Sequence, residues 1–394
     1  MKMISNIAIC LLLLLTGCSK VQDNVVGVDS DRPGGERVIY KDAETGRTIW
    51  RMTVSERNDK HNYYSDQSWS PDMSMIVWST ADYQANRGSI WIMDADGYNF
   101  RKLVDDAPYG MHTGCRPTWS PDGLSIYYNT DKAVDLMGNP MTRPADAEEV
   151  FTSATHKGRD FVQEYRKGPV YITRQMCYEL SPHKAILDDR PAKMMNAKWA
   201  PDKSVMMIGY SNENWDPELD RWAKSTEKPS KATVKELFLI DADGTNFRRW
   251  VDYGHHHSWT SDSKHIIFNA QDFQGGGLVL QHVDGRPLQK IADEGGVHPS
   301  INPQGTLVVT DCYSGEYKDY LVLIHVADGR IEKLVRTPPT HPRAHNHTHC
   351  NPSWSPDGSM VIYDNDETGT SQVYVVVVDE DKVRARFGDD AIAK

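Results

Sequence analysis

One short motif recurs along the chain and limits the folds that it can adopt. An aromatic residue is followed by a polar turn that ends in Pro-Asp or Ser-Asp, and then by an apolar run such as residues 75–78 or 361–363. Apolar runs after turn residues are typical of β-strands. The motif aromatics are Trp69, Trp119, Trp199, Trp259 and Trp354, and Ile301 marks a sixth, degenerate copy.

A second pattern follows the first in most copies: a strand, an acidic turn with Gly, and another strand, as in residues 90–97 and 237–244. Asp-Gly supplies the positive φ that a tight turn needs. Together the two patterns form a four-stranded unit that recurs at intervals of 42 to 80 residues between motif aromatics. This period predicts an all-β fold, a seven-bladed β-propeller of four-stranded blades.

The count of seven includes a degenerate blade around residues 169–172 and 175–180, in the long interval between Trp119 and Trp199. Residues 38–46 form a strand and turn without a preceding motif, and we expect them to close the ring against the last blade. The motif tryptophans are interpreted as core and turn residues rather than as chemistry. Residues 37–394 are therefore expected to form a single propeller domain.

The first residues of the chain predict export. Met1 to Met3 carry a charge, an apolar run ends at Leu15, and Thr16-Gly17-Cys18 follows, which is typical of a signal peptide. Residues 15–18 resemble the bacterial lipobox, which implies a lipoprotein signal peptide over 1–17, lipidation of Cys18 and a tether over 18–36. We expect a lipid-anchored protein facing a periplasm or the cell surface, in contact with the membrane through its anchor only.

Disulfides are permitted outside the cytoplasm. Three full pairings are possible among the four cysteines after Cys18, and the sequence does not choose among them. These are Cys115, Cys177, Cys312 and Cys350.

Charge narrows the expected partners. The chain has 55 Asp and Glu against 44 Lys and Arg, a formal net charge of -11. This balance, without long basic runs, argues against nucleic-acid binding, because phosphate neutralisation needs clustered cations. An anionic substrate stays open where the site is locally positive. We expect a monomer.

Histidines stand shortly before the repeated aromatic in five copies of the motif. Equivalent positions converge in a propeller, so these loops are expected to bring several imidazoles into one pocket. Imidazole is the usual base near neutral pH and a common metal ligand. These residues are His61, His112, His255, His256, His257, His298, His345, His347 and His349.

With these residues in view, the sequence resembles the oligogalacturonate lyases, seven-bladed propellers that cleave uronate-containing sugars by β-elimination with a manganese-type ion. The resemblance rests on residues 61–64, 256–259, 297–302 and 346–354. It implies His256 as the base, and a divalent metal, manganese-type or else calcium or zinc, on His298, Asn346, His349 and Asn351. The family has Gln at the position of Asn346 and His at that of Asn351.

Other catalytic roles remain open at this point. The family's catalytic Arg falls near Ala200, so Lys198, Arg116 or Arg174 is expected to take its place, and Tyr253 or His257 to assist the leaving group. Propeller lyases acting on ulvan or rhamnose–glucuronate linkages suggest another set. Together with His61, that set consists of His112, Arg116, Tyr165, Arg166 and Tyr171.

Three functions compete. The leading one is a carbon–oxygen lyase that acts on anionic, uronate-containing oligosaccharides or polysaccharides. The second is a non-catalytic Tol-type propeller that binds protein or glycan in the cell envelope, a role that needs no repeated imidazoles. A propeller peptidase or hydrolase has least support, because the sequence contains no Gly-x-Ser-x-Gly elbow.

Overall fold

A computed structural model of the chain describes residues 37–393, apart from positions 55, 57, 83–86, 110–113, 121, 129–131, 142–185, 188–189, 192, 203, 212–214, 217–220, 223–234, 242–245, 247, 252–254, 271–275 and 338–347. The expected signal peptide, Cys18 and most of the tether lie outside the described residues, as does the degenerate blade expected around 169–180. Within the described part, no helix has the length and apolarity needed to cross a membrane.

Most of the described chain forms six antiparallel sheets, with strands numbered in chain order. What we call the closing sheet contains β1 (Val38–Lys41), β2 (Thr48–Arg51), β27 (Ser353–Trp354), β28 (Met360–Asn365) and β29 (Gln372–Val377). Sheet 1 contains β3 (Asn58–Lys60), β4 (Met75–Asp82), β5 (Arg87–Asp94) and β6 (Arg101–Pro108). Sheet 2 contains β7 (Thr118–Trp119), β8 (Ser125–Tyr128), β9 (Lys132–Asp135) and β10 (Pro140–Met141).

The other sheets follow the same plan. Two short pairs are β11 (Ile186–Leu187) with β12 (Arg190–Pro191), and β15 (Trp215–Asp216) with β16 (Arg221–Trp222). Sheet 3 contains β13 (Lys193–Trp199), β14 (Val205–Ser211), β17 (Lys235–Asp241) and β18 (Arg248–Val251). Sheet 4 contains β19 (His255–Trp259), β20 (His265–Ala270), β21 (Gly277–His282) and β22 (Gln289–Ala292). Sheet 5 contains β23 (Ser300–Ile301), β24 (Leu307–Cys312), β25 (Tyr320–His325) and β26 (Ile331–Arg336).

The predicted all-β propeller of four-stranded blades is confirmed, with six blades in the described residues. The repeated motif builds both the turns and the contacts between blades. The Ser70 hydroxyl donates to Asp72 Oδ1 at 2.6 Å, and the Ser74 backbone N–H donates to the same oxygen at 3.0 Å. Ser355 and Asp357 repeat the hydroxyl contact at 2.7 Å.

The motif tryptophans bind the neighbouring sheet. Trp119 Nε1 donates to the Ser68 carbonyl at 2.9 Å, and Trp354 Nε1 to the Ser300 carbonyl at 3.0 Å. In both cases the acceptor directly precedes the motif residue of the sheet before. Trp69 is fully buried. The interpretation of these residues as core and turn is confirmed.

Two distant segments of the chain complete the closing sheet. Strand β2 pairs antiparallel with β29, with Trp50 opposite Val375, and β1 adds an outer strand. Residues 38–46 were expected to close the ring, and they do so as the outer part of this hairpin. Helix α1 (Glu380–Phe387) and a 3-10 turn (Asp389–Ala391) cover the sheet, where Trp50 Nε1 donates to the Ala391 carbonyl at 2.7 Å. Both β28 and β29 are buried at every position, since neighbouring elements cover their two faces.

Candidate active site

The residue three positions before the motif aromatic is equivalent from sheet to sheet. It is Arg116 in sheet 2, His256 in sheet 4, His298 in sheet 5 and Asn351 in the closing sheet. Arg116, His256 and Asn351 have left-handed backbones, with φ of 51°, 54° and 48°. Non-glycine residues rarely adopt this conformation, and strain of this kind clusters at functional sites. These loops therefore mark the candidate site.

Two tyrosines join the loops. Tyr63 and Tyr64 lie between β3 and Trp69 of sheet 1, and their ring centroids are 4.6 Å apart at 63°. The Tyr64 hydroxyl donates to the His257 carbonyl of sheet 4 at 3.2 Å. Both rings are buried, Tyr64 almost completely. This tyrosine pair therefore connects sheets that are far apart in sequence and packs among the loops.

Three imidazoles from three sheets form a row, and two of them, His256 and His298, contact the tyrosine pair. The ring centroids of His256 and His298 are 4.6 Å apart, and those of His298 and His349 are 5.4 Å apart. His298 also contacts Tyr63 at 5.4 Å and Tyr64 at 5.2 Å. We call His256, His298 and His349 the histidine row. Its formation shows that loops distant in sequence do converge, as the repeat predicted.

A buried carboxylate fixes the middle member of the row. Asp311, on β24, accepts from His298 Nδ1 at 2.8 Å and from the His298 backbone N–H at 2.9 Å. It also accepts from the Tyr313 hydroxyl at 2.7 Å and from the Asn351 backbone N–H at 3.3 Å. Burial raises the pKa of Asp311, but the His298 charge and these hydrogen bonds outweigh it and hold the pKa well below its usual range. Asp311 is therefore an ionised acceptor, and its hydrogen bonds to the ring and backbone of His298 fix the orientation of that imidazole.

Two cationic side chains flank the tyrosines. The Arg116 guanidinium carbon lies 5.6 Å from the Tyr63 ring centroid, and Lys198 Nζ lies 5.0 Å from that of Tyr64. Lys198 Nζ also donates to the His257 carbonyl. Both residues were expected to substitute for the family's catalytic Arg, and they lie beside the two tyrosines that contact the histidine row. They place two positive charges beside the tyrosine pair of an otherwise acidic protein.

The equivalent position in the closing sheet has different neighbours. Asp364, on β28, accepts the His61 backbone N–H at 2.9 Å and is fully buried beside Lys60 of sheet 1. Burial raises the pKa of Asp364, although Lys60 opposes the shift. Burial likewise lowers the pKa of Lys60, against the opposing effect of Asp364 and Asp366. This second carboxylate serves the junction between the last and first sheets.

Other predicted residues lie apart from the row or outside the described part. His61 is buried in the same junction, where Nε2 lies 3.2 Å from the Cys350 carbonyl and burial lowers its pKa to about 4. His257 is buried against Phe268, with ring centroids 5.3 Å apart. Cys115, Cys312 and Cys350 are free thiols. The predicted residues of the propeller that lie outside the described part are His112, Tyr165, Arg166, Tyr171, Arg174, Cys177, Tyr253, His345, Asn346 and His347.

Sequence reasoning missed Asp311 and Tyr313, and gave Tyr63 and Tyr64 no role. One signal was available: Asp311 is a charged residue in strand β24, three positions after Val308, which pairs with the motif residue Ile301. Ser79, Asn269 and Asp364 occupy the same register in other sheets. Each holds the next sheet's loop: Ser79 Oγ, for example, accepts the Cys115 backbone N–H at 3.0 Å. A polar residue at this register therefore identifies a contact between blades.

The donors near His298 suit a divalent ion in part. Nδ1 of His298 is bound to Asp311, and Nε2 has no hydrogen-bond partner among the described residues, an arrangement typical of metal-bound histidine. The described residues contain no group of three His, Cys, Asp or Glu side chains able to hold a metal. An ion on His298 and His349 would therefore need amide ligands, such as Asn351. Imidazole nitrogens suit transition metals such as zinc, whereas amide oxygens suit harder ions such as manganese or calcium.

Comparison with solved structures supports the fold. An oligogalacturonate lyase in complex with manganese aligns with a TM-score of 0.57 and 15% identity, covering 88% of this chain and 96% of that one. An oligogalacturonate lyase from Vibrio parahaemolyticus aligns with a TM-score of 0.55 and 13% identity, covering 90% and 98%. At such identities the similarity shows the propeller fold alone.

Sequence comparison adds little. No family model matches the chain. An uncharacterized peptidase, YuxL, of Bacillus subtilis (strain 168) is 34% identical over 88 residues, which cover 22% of this chain and 12% of that protein. So short a segment relates part of the propeller to part of a much longer chain.

Proposed function

We propose that this protein is a lyase that cleaves uronate-containing oligosaccharides or polysaccharides by β-elimination. One observation carries the proposal: the histidine row meets the tyrosine pair between two cations, Arg116 and Lys198. A base beside a positive, partly aromatic surface is what abstraction of a proton next to a carboxylate requires.

The cations supply the first requirement, neutralisation of the substrate carboxylate. Arg116 and Lys198 approach the tyrosines from sheets 2 and 3, so a uronate lying on that surface meets positive charge. Neutralising the carboxylate makes the C5 proton more acidic. A divalent ion held by His298, His349 and Asn351 would, when bound, add Lewis-acid stabilisation of the same group.

His256 is the proposed base. It is half-buried, and its left-handed backbone turns it toward His298, whereas His257 packs in the core. The imidazole takes the C5 proton, the C5–H electrons form the C4=C5 double bond, and the C4–O4 bond breaks. Water or Tyr253 donates the proton that O4 needs. A neutral imidazole performs this step best near or above its ordinary pKa.

The test is an ultraviolet assay for the unsaturated product, run on galacturonate, glucuronate and sulfated uronate polymers and oligomers, with and without chelator. We expect product from at least one substrate. We also expect His256→Ala to lower the rate by about 100- to 10,000-fold. His325→Ala is the matched control, because His325 lies on β25 beside Arg330, at 2.7 Å, and outside the histidine row.

A protein that forms no unsaturated product on any substrate contradicts the lyase assignment. Binding of the same glycans without cleavage would instead support a non-catalytic propeller. Full activity in His256→Ala would leave the lyase in place but remove His256 as its base.

We further propose that the enzyme acts in the cell envelope, lipid-anchored through Cys18. The expected result is fractionation with membranes, and release into the soluble fraction in Cys18→Ala. Mass spectrometry of the mature N-terminus checks the modification, and an unmodified Cys18 would contradict the anchor.

A further inference from the structure

Four hydrogen bonds converge on one buried carboxylate and join two sheets at the histidine row. The side chain of Asp311, which is 1% exposed, receives the His298 ring and backbone from sheet 5 and the Asn351 backbone from the closing sheet. The side chains of His298 and Asn351 are both among those that the metal assignment uses. A single side chain therefore sets the separation of two proposed ligands.

Tyr313 completes the arrangement. Its hydroxyl donates to Asp311 Oδ2 at 2.7 Å and accepts the Cys350 backbone N–H at 3.1 Å. Its ring lies 5.5 Å from that of His349. Tyr313 therefore links Asp311 to His349, the third member of the row, and to the residue that follows it.

We propose that Asp311, supported by Tyr313, is a positioning residue: it holds His298 as the Nδ1–H tautomer, so that Nε2 would be available to a divalent ion, and it holds the backbone of Asn351 beside that imidazole. This inference rests on the proposed function for its metal. Carboxylates behind metal-bound histidines fix the tautomer and orientation of the ring, and their loss typically weakens metal binding about 10- to 100-fold.

The test compares two aspartates at the same register, with Mn²⁺ as the probe. We expect Asp311→Asn to weaken Mn²⁺ binding by about 10- to 100-fold, measured by calorimetry or by the electron paramagnetic resonance signal of free Mn²⁺. Asp364→Asn, which changes the same atom one sheet further on, is expected to bind Mn²⁺ as the unaltered protein does. Tyr313→Phe keeps the carboxylate and should show a smaller loss, and it serves if Asp311→Asn does not fold.

A second readout responds to positioning and not to stability. In metal-free protein labelled with ¹⁵N-histidine, His298, assigned with a His298→Asn variant, is expected to be the Nδ1–H tautomer. Asp311→Asn should give a mixture of tautomers, because the amide can either accept or donate. An Nε2–H tautomer in the unaltered protein, or unchanged Mn²⁺ affinity in both Asp311→Asn and Tyr313→Phe, would overturn the proposal.

The failures are distinguishable. An unaltered protein that binds no Mn²⁺ overturns the positioning role toward a metal. A protein that binds Mn²⁺ with the expected dependence on Asp311, yet cleaves no uronate, keeps the positioning role and overturns only the lyase.

Discussion

Asp311 and Asp364 occupy the same register in neighbouring sheets, yet they serve different regions of the molecule. Asp311 lies at the junction between sheet 5 and the closing sheet, which opens onto the histidine row. Asp364 lies at the junction between the closing sheet and sheet 1, where Lys60 and the His61 backbone surround it. The strand position supplies a carboxylate in both cases, and the loop that faces it decides its role.

The two carboxylates also differ in charge. Both are fully buried, and burial raises the pKa of each. For Asp311 a histidine, a tyrosine and backbone donors outweigh burial, so its pKa is lowered. For Asp364 burial prevails and its pKa is raised. The two junctions therefore differ in the number of hydrogen-bond donors around the buried carboxylate. We call the junction at Asp311 the site junction and the junction at Asp364 the frame junction.

The largest effect is expected at the site junction, where one substitution should lower activity and leave thermal stability nearly unchanged. His298→Asn places an amide nitrogen where Nδ1 stood, so Asp311 keeps a donor while Nε2 is removed. We expect uronate cleavage to fall by about 100-fold or more, with little change in thermal stability. Initial rates and thermal denaturation check this, with His325→Ala as the control. If His298→Asn unfolds at the same temperature as the unaltered protein but keeps its activity, His298 has no catalytic role.

At the frame junction, by contrast, we expect a substitution to lower the free energy of unfolding. Lys60→Met removes the amine beside Asp364 and is expected to lower the free energy of unfolding by about 1–3 kcal/mol, because a buried polar group loses its neighbour. Denaturant unfolding measures the loss. Adding Asp364→Asn, which still accepts the His61 N–H, should recover most of it. Equal stability of single and double variants would show that the two side chains are not coupled.

A third junction sharpens the comparison, since Ser79 holds the Cys115 backbone at the same register. Burial raises the pKa of the Cys115 thiol to about 12 from 9.0. The thiol of the folded protein therefore stays protonated where that of the unfolded chain ionises, so this contribution to stability is complete below about pH 9 and is lost as pH rises toward 12.

Iodoacetamide labelling at about pH 8.5, read by peptide mass spectrometry, checks this shift. We expect Cys115 in folded protein to react about a thousandfold more slowly than after denaturation, in line with three pKa units. Rapid labelling of the native protein would show that this junction opens readily.

The smallest expected effect concerns the hydrogen bond from sheet 1 to sheet 4. Tyr64→Phe removes the hydroxyl that donates to the His257 carbonyl and should cost about 1 kcal/mol of unfolding free energy. Lys198 still donates to that carbonyl, which limits the loss. Denaturant unfolding checks the value, and a loss above about 3 kcal/mol would mean that the tyrosine pair does more than pack.

The repeated local sequence patterns were enough to predict the propeller fold. The Ser-x-Asp turn and the motif tryptophan use partners that recur with each repeat, so one interpreted copy explains the others. The repeat also predicted that His256, His298 and His349 would meet, because they precede equivalent strands. The Asp311 interactions cross between sheets and depend on which loop residues face the carboxylate, and no local pattern specifies that.

The division between His256 and His257 shows a second limit. The two histidines are adjacent, and the pairing of β19 with β20 is irregular between His255 and Ser258. The left-handed backbone at His256 sends one ring to the row and the other to Phe268. A one-residue irregularity inside a strand decides which imidazole is accessible, and composition does not reveal it.

The pairing of β2 with β29 has a consequence for the order of folding. These strands are separated by most of the chain, so the closing sheet carries the greatest loop-closure entropy and is expected to form late. His349 and Asn351 precede β27 of that sheet, so the pocket is complete only after the ring has closed. A chain whose last residues have not yet been synthesised therefore has no assembled site, and activity reports on completed folding.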